Sequence, residues 1–318
     1  MAEMKNRKQA ILLMTLSTFS FSMMSLVVKL SATSVGTLQQ VFFRNLISLG
    51  IMGVLLRRGR LPFLGEWRYQ PALCARSFFG FVGVVMLFYA TANARQADVA
   101  ILSRTTPVWT TFFAAMILRE KISRVQIPVI VLCLVGATVA IRPTFDSELL
   151  PLLLAAGSAV SSGIAYTAIA YCKGKVHPLT VIFHFSLLST VAAFFLMLPS
   201  FTLPSGRDLV MLVLIGIFAA GGQVGLTFAY QKAPASEVSI YDYIGIVISM
   251  LLGWGVLSEP LTLFNCLGSG MIVCGALYSR FYNQRHDIEG DYKPAEPVLP
   301  SRKGQHSKNS CTESVDLK

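Results

Sequence analysis

Charged residues are scarce in this chain of 318 residues: Asp, Glu, Lys and Arg make up 14% of it, against 54% hydrophobic residues. Soluble domains are typically about 25% charged and about 45–50% apolar. The mean hydropathy of +0.61 is correspondingly high. A soluble enzyme of this composition would expose too much apolar surface, so the composition predicts a multi-pass membrane protein.

The patterns that would indicate a metal centre, a disulfide scaffold or a nucleotide-driven machine are also missing. The scattered cysteines and the 4 histidines show neither metal-ligand spacing nor a disulfide framework, and we expect no cofactor. No phosphate-binding glycine loop occurs, which argues against direct drive by nucleotide hydrolysis. The net charge of +11 falls mostly in short loops and in the tail, so nucleic acid is not an expected partner.

Apolar runs of membrane-spanning length recur along most of the chain, separated by short polar or helix-breaking connections. They predict an all-α integral membrane protein with ten transmembrane helices. The predicted segments are 9–30, 36–56, 71–93, 97–118, 124–141, 149–172, 178–199, 207–231, 236–257 and 262–282. The polar stretch 284–318 cannot bury a core, and we expect it to be a disordered cytoplasmic tail.

The basic residues lie mostly on one side of this predicted topology. They occur in the N-terminal stretch 1–8 and in the connections 57–60, 119–121 and 173–175, whereas the alternate connections carry few. Cytoplasmic loops are enriched in Lys and Arg. The distribution therefore predicts a protein of the cell (inner) membrane, embedded in the lipid bilayer, with both termini in the cytoplasm.

The chain also repeats itself at an offset of 139 residues. The stretch from Asp98 to Glu120 aligns without a gap on the stretch from Glu237 to Glu259, with an acidic residue on an acidic residue at both ends. Within this alignment Ser103 falls on Asp242, and the same offset extends over three helices. A helix-length apolar segment with charges inside it thus occurs twice.

We therefore predict two five-helix halves, 9–142 and 149–282. Because five is odd, the second half enters the membrane from the opposite side, which makes the halves an inverted repeat. Inverted repeats suit alternating access, since exchanging the conformations of the two halves moves the opening from one side to the other.

The segment A-D-V-A-I-L-S-R-T-T-P-V-W-T-T-F-F-A-A-M-I-L-R-E-K-I-S, on this ten-helix pattern, resembles the drug/metabolite transporter superfamily, EamA branch. Repeats of that family typically end their fourth and ninth helices with an acidic residue in a short loop, and Glu120 and Glu259 match. The resemblance covers about residues 9–282. It implies a central cavity lined by both halves, and substrates among amino acids, vitamins, nucleotide-like metabolites and drugs.

Charged residues inside the predicted helices are the leading candidates for substrate binding, because such charges are costly in a membrane. Arg104 lies about 8 Å from the outer end of the fourth segment and Arg44 slightly deeper in the second. Both suit a carboxylate contact, although headgroup snorkelling or structural pairing would also explain them. Asp242 is placed near the inner third, where it could bind an amine, carry a coupling proton or pair with an arginine such as Arg76.

The same depth estimate argues against a salt bridge between Arg104 and Asp242. In a core of about 30 Å their backbones would differ by roughly 13 Å in depth, so we expect two separate contacts on opposite sides of a central site. Further candidate lining residues are polar or aromatic, with helix packing or interface anchoring as the alternative role. They are Ser103, Tyr241, Tyr243, Gln223, Trp109, Tyr89 and Tyr166.

The sequence thus predicts a secondary active transporter, not an enzyme, for a small polar or amphipathic metabolite. An amino acid or related carboxylate is the favoured substrate, and export is favoured over import. A nucleotide-like or vitamin metabolite, such as S-adenosylmethionine or riboflavin, is the alternative substrate. A membrane-embedded lipid-modifying enzyme is the alternative from another class, but it would need His, Asp or Glu clustered at one membrane face, which the sequence does not offer.

Overall fold

A computed structural model describes residues 2–31, 34–93, 96–120, 122, 125–141, 149–257 and 262–288. Within these ranges the regular structure is entirely helical. The helices are α1 (Ala2–Ser31), α2 (Thr37–Arg58), α3 (Gln70–Asn93), α4 (Gln96–Ser103), α5 (Thr106–Ile117), α6 (Gln126–Ile141), α7 (Leu149–Tyr171), α8 (Pro178–Met197), α9 (Gly206–Lys232), α10 (Ala235–Val238), α11 (Ile244–Leu257) and α12 (Leu263–Ile288). The first five residues of the predicted tail, 284–288, continue α12 as helix, which corrects its predicted start; the rest of it, 289–318, lies outside the described residues.

Two of the ten predicted segments are broken, and they are the two that carry the repeat. The fourth segment divides into α4 and α5 around Arg104, and Pro107 stands in the first turn of α5. Proline fits a helix start because its missing N–H is not needed there. The ninth segment divides into α10 and α11 through the 3-10 turn Ser239–Tyr243. At the repeat offset the two breaks overlap, so the interruption belongs to the repeat and not to one half.

The halves pack against each other in reciprocal pairs. Helix α1 lies against α9 and α3 lies against α7, while α5 packs on α7 and α11 packs on α1. In the order of the repeat, each contact is thereby matched by its counterpart from the other half. Two further pairs, α2 with α8 and α6 with α12, join equivalent helices to each other. Such reciprocity is what a two-fold relation between the halves would produce.

Close approach between equivalent helices depends on small residues. Where α6 crosses α12, a Cβ on Gly136 would lie 2.8 Å from the carbonyl oxygen of Gly268, and a Cβ on Gly268 would overlap the carbonyl oxygen of Gly136. Small residues let membrane helices approach backbone to backbone, where van der Waals packing replaces the hydrophobic effect. Cys133 completes this contact from α6, with its Sγ 3.9 Å from the carbonyl oxygen of Ile272.

Seven stretches among the described residues are long and apolar enough to cross a membrane. Six are helices in their own right, and the seventh runs from Ala235 to Val256 through the broken ninth segment. Many large apolar side chains are exposed along these helices, as Leu12, Val54 and Phe195 are. An apolar exterior is what a bilayer requires. The count of ten spans in an inverted repeat stays a prediction.

Candidate functional site

Arg104 and Asp242 meet at the two helix breaks. The Arg104 Nη1 lies 3.6 Å from Oδ2 of Asp242 and donates a hydrogen bond of 3.3 Å to its backbone carbonyl. Their side chains are 27% and 24% exposed, so a solute could reach both. The prediction that these residues act apart is therefore wrong: the structure joins them as an ion pair between the two halves.

The depth estimate failed because it treated each segment as one straight helix measured from its end. Both segments are interrupted at this point, so neither backbone advances by a constant rise along the membrane normal. The space for the contact is also local. Gly245, one turn beyond Asp242, would place a Cβ 3.3 Å from Nη1 of Arg104, so the guanidinium lies directly against the first turn of α11.

Two further arginines lie deeper in the protein, Arg44 on α2 and Arg76 on α3, with only 6% and 2% of their surfaces exposed. They are close enough to each other to interact electrostatically. Neither forms an ion pair with any residue that the structure describes, and Arg44 also makes no hydrogen bond to these residues. A guanidinium stays protonated in proteins, so two uncompensated positive charges are held inside an apolar bundle.

Arg76 is held in a defined position by three neighbours. Its Nη2 donates a 3.0 Å hydrogen bond to Oε1 of Gln223, and its guanidinium carbon lies 4.1 Å above the ring of Phe185. One turn further along α3, any Cβ at Gly80 would overlap Nη1 of Arg76. The absence of a side chain at position 80 is therefore what leaves room for this guanidinium. Gln223, a predicted site residue, is thus part of the cluster.

Tyr166 of α7 lies among all of these charges. Its hydroxyl is within electrostatic range of Asp242 and of the three arginines Arg44, Arg76 and Arg104. Its ring stacks on that of Tyr230, with the centroids 5.2 Å apart. We name these four charged residues together with Tyr166 and Gln223 the central cluster. Five of its six members, all but Arg76, were predicted as substrate-binding residues.

The remaining predicted residues lie around or outside this cluster. The Cβ of Trp109 lies against Gly163 of α7. The backbone carbonyl of Ser103 accepts a hydrogen bond from the Thr106 hydroxyl. Tyr241 and Tyr243 are both buried but belong to different apolar cores: Tyr241 packs with the core around α1, α7 and α9, and Tyr243 with the core between α6 and α12.

Tyr89 differs from the other candidates because it is 46% exposed on the surface of α3. No contact between Tyr89 and the central cluster occurs among the described residues, and its role in the site stays a prediction. Arg76 is the converse case, since it belongs to the cluster but was considered only as a pairing partner for Asp242. The signal that could have found it is the cost of any arginine in the interior of an apolar helix.

A second contact between the halves involves Glu120, which follows α5. Its carboxylate accepts hydrogen bonds from the backbone N–H groups of Ala235 and Ser236, at 3.1 and 3.2 Å, and from the Ser236 hydroxyl at 3.0 Å. Arg7 and Glu237 form an ion pair of 3.2 Å nearby. The end of α5 and the start of α10 are therefore fastened together. The counterpart, Glu259, lies outside the described residues.

Comparisons with known proteins agree on one family. A family model described as the EamA-like transporter family matches residues 8–142 and again residues 149–281. The pseudopaline exporter of Pseudomonas aeruginosa is 29% identical over 272 residues, which covers 85% of this chain and 95% of that protein. Human solute carrier family 35 member G1 is 26% identical and covers 82% of this chain and 74% of that protein.

Two further similarities are more distant or less complete. A riboflavin transporter of Vibrio cholerae is 26% identical over 56% of this chain and 61% of its own length. A solved crystal structure superposes with a TM-score of 0.78 at 17% identity and covers 88% of this chain and 99% of the other. This last similarity shows a shared fold.

Proposed function

We propose, on the premise that this chain belongs to the EamA-like transporter family, that it is a secondary active transporter of a small polar or amphipathic metabolite. Its two halves, residues 9–142 and 149–282, would form an inverted repeat of ten spans with both termini in the cytoplasm. Transport would proceed by alternating access, driven by a solute or proton gradient. The stretch 289–318, which follows α12, would take no part in it.

The observation that carries this proposal is the ion pair between Arg104 and Asp242. It joins the two halves at equivalent helix breaks, and broken helices are where membrane transporters commonly bind substrate. Charges inside an apolar bundle are costly and are kept for function by default. Because the pair is only partly buried, a charged solute could separate it by offering a carboxylate to the arginine or an amine to the aspartate. Either exchange would couple binding to a movement of one half against the other.

The favoured substrate is an amino acid or a related carboxylate, and export is the favoured direction. Three arginines and one aspartate in the central cluster suit a solute that carries more negative than positive charge. The relative that is named as a pseudopaline exporter supports the direction, since it covers most of both chains.

A vitamin or nucleotide-like metabolite is the second candidate substrate. The stacked rings of Tyr166 and Tyr230 could extend onto a planar ring system, and one relative is named as a riboflavin transporter. A membrane-embedded lipid-modifying enzyme has less support. Within the described ranges, no three or more His, Cys, Asp or Glu residues gather as a metal-binding group.

Reconstitution into liposomes tests the proposal. The wild-type protein, screened first for metabolites that raise its thermal stability, should move the best of these solutes across the membrane. Arg104→Gln and Asp242→Asn should each reduce that flux by at least about 10-fold, because each leaves its partner unpaired beside the solute. Arg207→Gln, at an exposed helix start, is the matched control. Undiminished flux of every solute in both variants would remove Arg104 and Asp242 from the site.

A further inference from the structure

We infer that Arg44 and Arg76 form the recognition site for a doubly anionic solute, a dicarboxylate or a phosphate monoester. The inference rests on the proposed function, since it names the class of substrate that the central cluster takes. It starts from the charge of the cluster. Arg44, Arg76 and Arg104 against Asp242 leave a net charge of +2, and no ion pair joins either deep arginine to a carboxylate among the described residues.

The uncompensated positive charges of Arg44 and Arg76 indicate that an anionic ligand binds between them. Taking a guanidinium out of water without an opposite charge is strongly unfavourable, and neither arginine can avoid the cost by losing its proton. Arginines kept for structure would be expected to have carboxylate partners, as Arg7 has in Glu237 and Arg104 has in Asp242. The two deep arginines lack that partner, and a bound dianion would supply it.

The hydrogen-bonding inventory supports the same conclusion. A guanidinium has five N–H donors in a planar fork that matches carboxylate and phosphate oxygens. Arg76 donates one hydrogen bond to Gln223, and its Nε is buried without a partner. Arg44 makes none to the described residues, and its Nε is likewise buried and unpaired. Most donors of both forks are therefore left for a solute.

The guanidinium of Arg76 is also preorganised by its neighbours. Phe185 supports one face of the guanidinium, Gln223 holds one terminal nitrogen, and the bare backbone of Gly80 makes room for another. A cation held in place before the ligand arrives loses less freedom on binding, which favours affinity. Arg44 comes from a different helix, so the two forks can engage two anionic groups or opposite sides of one phosphate.

Matched pairs of probe compounds test this inference on the purified full-length protein. At pH 8, glutarate and glutaramate have the same length but carry charges of −2 and −1. Ethyl phosphate and diethyl phosphate carry the same two charges at this pH, and the diester is one ethyl group larger. The apparent affinity of each follows from the rise in the thermal unfolding midpoint with its concentration. At least one dianion should bind at least about 10-fold more tightly than its monoanion, because one charge-assisted contact to arginine is lost. Which pair shows the difference identifies the carboxylate or the phosphate as the source.

Variants then connect the preference to the two arginines. Arg44→Gln and Arg76→Gln should each reduce the dianion preference to within about 3-fold of unity, while Arg57→Gln, on the exposed end of α2, should leave it unchanged. Gly80→Ala provides a variant with every charge intact: its Cβ displaces the Arg76 guanidinium, and the preference should fall. Gly50→Ala, where a Cβ meets nothing within 4 Å, is its control.

The outcomes separate this inference from the proposed function. Transport and binding of monoanions and dianions with equal affinity by the wild-type protein would overturn the dianion site and leave the transporter proposal standing. A dianion preference that survives both arginine variants would also overturn it. If no compound of the panel, and no metabolite of the wider screen, is bound or transported, both proposals fail. A preference that disappears only in Arg44→Gln, Arg76→Gln and Gly80→Ala supports the site.

Discussion

The central cluster holds two pairs of charged residues that differ in how their charge is balanced. Arg104 and Asp242 neutralise each other at 3.6 Å and keep about a quarter of their surfaces exposed. Arg44 and Arg76 repel each other, are almost fully buried and lack a carboxylate partner among the described residues. Both pairs lie within electrostatic range of Tyr166. One fold therefore contains a balanced charge pair beside an unbalanced one.

The difference between the two pairs separates stability from binding. A balanced pair contributes to the contact between the halves. Removing one partner destabilises the protein, because the remaining charge is partly buried without an opposite charge. An unbalanced pair destabilises the protein in the absence of a ligand, and a bound anion removes that destabilisation. The comparison thus predicts opposite stability effects for the same chemical change at two arginines in one cluster.

The largest effect is expected when each arginine is replaced by the apolar side chain closest to it in length. Arg104→Met should lower the free energy of unfolding by about 1–3 kcal/mol, because Asp242 loses its partner. Arg44→Met should be neutral or raise that free energy by about 1–3 kcal/mol, because an unpaired buried charge disappears. Thermal unfolding of the ligand-free protein in detergent measures both, and both variants should lose transport.

The double variant Arg104→Met with Asp242→Leu checks the interpretation. If the two residues compensate each other, the double variant should lose less free energy of unfolding than the sum of the losses in Arg104→Met and Asp242→Leu. The difference should be at least about 0.5 kcal/mol. The comparison would be wrong if Arg44→Met destabilised the protein as strongly as Arg104→Met, since Arg44 would then have a structural role.

Much of the fold follows from patterns that a single sequence carries. Hydropathy predicts helices at all ten positions, and the offset of 139 residues predicts which helices are equivalent. Reciprocal packing of α1 on α9 and of α3 on α7 agrees with that equivalence. The family predicted by resemblance is confirmed by a family model that matches both halves.

The site could be predicted only in part, for two physical reasons. The helices break at Arg104 and before Ile244, so a depth counted along an unbroken helix misjudged the distance to Asp242. The rotational position of a helix that is apolar on all sides also leaves no pattern of polar and apolar faces. Tyr89 and Arg76 both lie on α3, and only the packing of α3 on α7 and α8 decides which of them is buried.

A smaller effect is expected at Glu120, whose charge is balanced in a third way. Among the described contacts no cation pairs with its carboxylate, which instead accepts hydrogen bonds from the peptide N–H groups of Ala235 and Ser236. Glu120→Gln should weaken this contact by about 1–2 kcal/mol, because charge-assisted hydrogen bonds become neutral ones. Protection of the amide hydrogens of α10 against exchange measures the loss locally.

Glu66→Gln is the matched control for this change, because Glu66 is exposed and its side chain caps no backbone N–H. Its exchange pattern at α10 should equal that of the wild-type protein. If Glu120→Gln also left α10 unchanged, the fastening of the two halves at this end would depend on Arg7 and Glu237 instead.

The smallest effect is expected at Arg119, which sets the direction of Glu120 by its backbone. Arg119 has φ of 55°, a left-handed conformation that costs a side-chain-bearing residue about 1 kcal/mol. The amide of Glu120 then reaches the carbonyl oxygen of Ala114 at 3.3 Å, which turns its carboxylate toward α10. Arg119→Gly should therefore raise thermal stability slightly. Arg119→Val should lower the free energy of unfolding by at most about 1 kcal/mol and expose α10 to exchange, since a β-branched residue disfavours this conformation. Because both variants remove the same exposed cation, equal effects would indicate that the charge matters and the backbone geometry does not.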